Sequence, residues 1–206
     1  MTGTPPAGVK FAYLPAVMAG AEPAVRRVYL PAVLRPALPD LVVEQVTMAD
    51  GGLAVTLRNI GAAPVVEEFW VDVYIAPAAP PTAVNQTWDL LGGEGLVWGV
   101  TAAALPLAPG AQLTLAVGDA YYRADYSLAT QPLAGRALYV QVDSYGDAGD
   151  YGAILEAHEL DRGPYNNIFG PVWPAEADAT AAAPSAQSIM PPRRSWLPGA
   201  ASSGEE

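Results

Sequence analysis

A chain of 206 residues, 51% of them apolar, is long enough for one domain with its own core and some flanking chain. Its 21 prolines and 20 glycines argue against long helices and for strands joined by turns, and the lack of cysteine excludes disulfides, thiolate metal sites and a cysteine nucleophile. The net charge of −11 is concentrated in residues 40–170, where 16 Asp and Glu face 4 Arg and no Lys; this sets aside nucleic acid and anionic membranes and leaves divalent cations, neutral sugars and basic protein patches.

No apolar run approaches the roughly 20 residues needed to cross a bilayer, so membrane insertion is not expected. The opening Met1-Thr2-Gly3-Thr4-Pro5-Pro6 lacks the basic and apolar stretches of a signal peptide, so the chain reads as carrying no export signal.

Residues 1–39 form a Pro/Ala-rich arm containing a duplication: Tyr13-Leu14-Pro15-Ala16-Val17 recurs as Tyr29-Leu30-Pro31-Ala32-Val33. Proline fixes φ and pushes its predecessor towards extended geometry, so each copy is expected to be a short extended segment. The arm is either a spacer or a pair of docking peptides, with Tyr13, Leu14, Pro15, Tyr29, Leu30 and Pro31 adding to a sheet edge or filling a groove.

Residues 40–171 carry the folded domain. A strand from Leu41 to Met48 turns through Ala49-Asp50-Gly51-Gly52 into a second from Leu53 to Leu57, a hairpin with Gly at the tight positions. The third, Phe69 to Ile75, has a strict period of two: Phe69, Val71, Val73 and Ile75 face one way, and Trp70, Asp72 and Tyr74 the other. After a Pro/Ala-rich excursion over residues 76–94 come strands at 96–100, 112–117, 137–143 and 153–156. About seven short strands separated by turns predict an all-β sandwich. Residues 172–206, rich in Ala, Pro and Ser, are expected to be a disordered tail, interrupted by the basic-aromatic patch at Arg193, Arg194 and Trp196.

Two groups of residues could carry chemistry. Asp143, Asp147, Asp150 and Glu156 lie on or just after a Gly-containing loop; calcium accepts six to eight oxygens from such loops, although the EF-hand spacing is absent and a polar turn explains the same residues. Trp70, Asp72, Tyr74 and Trp98 combine flat apolar surface with an acceptor, as a sugar-binding platform requires. The competing arrangement has the 76–94 excursion folding back, with Trp88 covering the face as a second small core; large exposed apolar patches are uncommon.

His158 is the only histidine, between Glu156 and Glu159, and no Ser-His-Asp set, Gly-x-Ser-x-Gly elbow, phosphate loop or His-Glu-x-x-His pair can be assembled around it. The sole lysine, Lys10, lies outside the domain, so a Lys–Asn isopeptide cross-link cannot staple the core.

Several motifs, in order, resemble the CARDB domain, an immunoglobulin-like module of bacterial extracellular proteins named for a presumed role in cell adhesion. Pro39-Asp40-Leu41-Val42-Val43 is similar to its opening, and Asn59-Ile60-Gly61-Ala62-Ala63-Pro64 to the turn after its second strand. Phe69 to Ile75 resembles its third strand and Leu107-Ala108-Pro109-Gly110 a later turn. Asp143, Glu156, Glu159 and Asn166-Asn167 resemble its closing pattern, with the long excursion after Ile75 and residues 160–165 as departures. The resemblance implies an immunoglobulin-like fold and an extracellular or cell-surface setting, and no reaction. The expectation is a noncatalytic adhesion or assembly module whose partners are surface proteins or extracellular polysaccharide. The alternative is a carbohydrate-binding accessory module, and last a hydrolase fragment.

Overall fold

The computed structural model describes residues 10–16, 28–34, 36–49, 52–147, 151–161 and 163–175. The chain divides into two compact units, Met1–Ala37 and Leu38–Glu206.

In the first unit, strands β1 (Lys10–Ala16) and β2 (Val28–Leu34) pair antiparallel. The two copies of the duplicated segment are each other's partners: Leu14 faces Leu30, Tyr13 faces Pro31, and Pro15 faces Tyr29. Pairing antiparallel about the leucine gives the Tyr-Leu-Pro of each copy equivalent partners in the other. The extended geometry expected of each copy is present, and the edge each one meets is the other copy.

The second unit consists of two antiparallel sheets. One has the order β3-β4-β7, from β3 (Leu41–Ala49), β4 (Gly52–Asn59) and β7 (Gln112–Ala116). The other has the order β6-β5-β8-β9, from β6 (Glu94–Val100), β5 (Phe69–Ile75), β8 (Leu138–Val142) and β9 (Ile168–Val172). Leu53, Val55 and Leu57 of the first sheet join Phe69, Val71, Val73, Ile75, Val140 and Val142 of the second in one core cluster, giving a sandwich-like, all-β arrangement. The alternation in β4 is strict, with every second residue buried. In β3 a bulge between Val43 and Gln45 shifts the inward set from Leu41 and Val43 to Val46 and Met48, which pack against the same core.

Six of the predicted strands are present, and the seventh is elsewhere. Residues 153–156 are not a strand, because their amides bond to side chains instead of a ladder: Ala153 and Ile154 N–H donate to Asp143, and Glu156 N–H donates to Glu159. The last bond caps the short helix α1 (Ala157–Asp161) in the manner of a capping box. The closing strand is β9, and the domain extends past its predicted limit at residue 171, since Gly135 N–H donates to the Pro174 carbonyl. The expectations for residues 176–206, including Arg193, Arg194 and Trp196, lie outside the described residues, as does Asp150.

Candidate functional site

The outer face of β5 is closed. Trp70, Tyr74, Trp88, Val97 and Tyr126 form a second buried cluster on the far side of the four-stranded sheet. Trp88, from the 76–94 excursion, lies over Gly95, where a Cβ would come within 2.2 Å of its ring, and donates its indole N–H to the Tyr126 carbonyl at 3.0 Å. Trp70 meets Tyr126 edge-on, with ring centroids 5.6 Å apart. The Tyr74 hydroxyl shares its proton between Gln141 Oε1 at 2.7 Å and the Gln86 carbonyl at 2.8 Å. Asp72, fully buried, accepts from the Ser144 hydroxyl at 2.9 Å.

The sugar platform on Trp70, Asp72, Tyr74 and Trp98 is therefore corrected: these side chains are 0–2% exposed and present no surface to a ring. Trp98 also faces the other way, into the core between the sheets, where its indole N–H donates to the Ala116 carbonyl. Polarity on an outer strand face is satisfied here by internal partners, which the period of two cannot distinguish from a binding surface.

The acidic loop after β8 is likewise turned inward. Asp143, at φ 50°, directs both carboxylate oxygens at backbone, accepting Ala153 N–H at 2.8 Å and Ile154 N–H at 3.0 Å. Gly152 must be glycine there, since a Cβ would lie 2.3 Å from the Asp143 carboxyl. Asn85 clamps the same loop through reciprocal bonds with the Gly146 backbone. Asp147 is exposed while both Asp143 oxygens accept backbone N–H groups, and among the described residues neither belongs to a group of three with metal-ligand spacing, such as the calcium reading requires.

Glu156, the fourth member of that reading, belongs to a different group. Among the described residues, the set with metal-ligand spacing is Asp40, Glu156 and His158. The Asn59-Ile60-Gly61 turn positions Asp40. Asn59, fully buried, accepts from Asp40 N–H and Gly61 N–H and donates to the Ala63 and Leu107 carbonyls. A side chain on residue 61 would lie 2.4 Å from Asp40 N. From the other side, the Ala157 N–H donates to the Pro39 carbonyl and Leu41 N–H donates to Glu156 Oε1 at 3.1 Å. The domain's first strand is thereby fastened to the segment that leads into α1.

His158 Nδ1 lies 3.2 Å from Asp40 Oδ1 and 3.4 Å from Glu156 Oε2. Asn166 Nδ2 donates to the same Asp40 oxygen at 2.9 Å, and the Tyr165 ring lies against the imidazole. Burial, with the charge of Asp143 added, pushes Glu156 up to about 9; the Asn167 amide and Leu41 N–H offset this in part. Burial raises Asp143 to about 7 in spite of its two backbone donors, and raises Glu159 as well. Glu156 Oε2, His158 Nε2 and Asn167 Oδ1 are buried without a hydrogen-bond partner; Asn167 favours the Glu156 anion without completing a bond to Oε2.

Sequence reasoning had Glu156 and the lone His158 in view and missed Asp40, which is 118 residues from His158. The signal was present in the motif order, since the Asp of the opening and the Glu and Asn of the closing pattern meet at one point. Among the described residues no serine or threonine hydroxyl bonds to His158. No family model, curated protein or solved structure matches this chain.

Proposed function

We propose that this chain is a noncatalytic, immunoglobulin-like module of the CARDB kind that acts in extracellular adhesion or cell-surface assembly by protein–protein contact. The observation carrying this reading is the path of the chain through the domain. It comes in at Leu38 to Leu41, beside Glu156, Asn166 and the Val142 end of β8; it leaves at Val172 to Pro174, beside Leu138 and Gly135 at the other end. A sandwich threaded from end to end can carry load along its strands, while its end loops offer surface for contact.

Two further features favour the same reading. The residues of the resemblance's opening and closing patterns, far apart in sequence, converge on one buried centre that holds the first strand in place. Both sheet faces that could have offered an aromatic platform are filled from within, which favours protein partners over a stacked sugar.

The test uses the full chain in and on its own cells. External protease should cleave it on intact cells, and purified chain should reduce cell–cell or cell–matrix attachment saturably. Protection in intact cells with cleavage only after lysis, or attachment unchanged by saturating chain, would contradict the proposal. Attachment reversed by one free sugar would move the module to the carbohydrate-binding class.

A further inference from the structure

Two parts of the domain, far apart in sequence, present three ligand atoms to a single small space: a carboxylate oxygen from Asp40 before β3, and a carboxylate oxygen from Glu156 with a ring nitrogen from His158 at the start of α1, all within 4.8 Å of one another. The nitrogen-to-oxygen separations are 3.2 and 3.4 Å. A tetrahedral centre with bonds of about 2.0–2.1 Å has ligand–ligand edges of about 3.3 Å, so the spacing is that of neighbouring ligands around one ion.

Hydrogen bonding alone leaves this group incomplete. A proton on Nδ1 can serve one carboxylate well, and Asp40 Oδ1 already accepts from Asn166. Glu156 Oε2 then has no donor, on a side chain that is 0% exposed, and it faces Nδ1. A buried carboxylate oxygen in that position is stable only with a proton or a cation beside it. Among the described residues no lysine or arginine forms an ion pair with Asp40 or Glu156.

We propose that Asp40, Glu156 and His158 bind one divalent transition-metal ion of the zinc class. An imidazole nitrogen with two carboxylates suits zinc and its neighbours, whereas calcium and magnesium favour all-oxygen shells. Asn166 on Asp40 and Leu41 N–H on Glu156 are the outer partners that hold the carboxylates in orientation. The Asp40 side chain keeps 14% exposure, which gives an ion a route from solvent. The ion would join the start of β3 to the segment around α1, a cross-link in a chain that has no cysteine to make one.

The experiment strips tag-free full chain with chelator and titrates it with zinc, then with calcium, by calorimetry and thermal melting. One zinc per chain should bind and raise the melting point, and calcium should do neither. E156Q, which retains an acceptor for Leu41 N–H, and H158Q should each weaken zinc binding by about tenfold or more while keeping the native circular dichroism. X-ray absorption on the zinc-loaded wild-type chain needs no variant, because a shell with one imidazole can only be His158 in a chain with one histidine. Absence of stoichiometric zinc binding, undiminished binding in both variants, or a zinc shell without imidazole would overturn the proposal.

Discussion

Gly95 and Trp88 illustrate how single atoms decide a surface. The indole can lie flat on β6 only because residue 95 has no Cβ, and a methyl there would sit 2.2 Å from the ring carbon. G95A therefore acts by evicting Trp88. It should cost nearly as much stability as W88A, about 3–5 kcal/mol for a buried aromatic, and the double variant little more than the worse single one. Urea unfolding followed by tryptophan emission checks this; additive losses would mean that Gly95 acts by some other route. Asp143 and Gly152 follow the same logic at the acidic loop, where a missing side chain lets a carboxylate reach two amides.

At the scale of elements, the Asn59-Ile60-Gly61 turn does more than reverse the chain. Four bonds from one buried side chain join the end of β4 to residues 40, 61, 63 and 107. N59A leaves buried backbone groups without partners, at a cost of at least about 2 kcal/mol. A urea midpoint close to wild type would show that water replaces those bonds.

The strands were legible wherever β-branched and aromatic residues alternate, as in β4 and β5, because a half-buried strand needs that pattern. Two features escaped for physical reasons. Ile168-Phe169-Gly170-Pro171-Val172 contains a Gly-Pro pair that reads as a turn, yet it pairs with β8 at the sheet edge, where a missing proline N–H is tolerated. Ala153-Ile154-Leu155-Glu156 has the apolar content of a strand, and Ile154 is in the core, but Asp143 takes the amides that a ladder would need. The chemical centre was half legible: polarity at Asp143, Glu156 and Asn167 is visible in the sequence, whereas the meeting of Glu156 and His158 with Asp40 depends on contacts over more than a hundred residues.

For the molecule as a whole, buried carboxylates make stability depend on pH with an unusual sign. Glu156 and Asp143 are raised in the folded chain, to about 9 and about 7, chiefly by burial. The folded state thus holds protons that the unfolded chain releases at ordinary carboxylate pKa values. The stabilisation this brings is complete below those values and is lost as pH rises through 7 and then 9. With metal chelated, the urea midpoint should fall between about pH 5 and about pH 9, and E156Q should flatten the upper part of that fall. A midpoint rising with pH over the same range would place both carboxylates as ordinary paired anions.

The central structural claim is that buried carboxylates, in place of a strand ladder, fasten the segment before α1 to the end of β8 and to the first strand. Amide hydrogen exchange on the full chain tests it most directly, because the claim names the amides. Leu41, Ala153 and Ile154 should exchange nearly as slowly as the amides of β5 and β8, since each donates to a buried carboxylate and opens only with the domain. Exchange of these three at the rate of free loop amides, with β5 and β8 still protected, would contradict it.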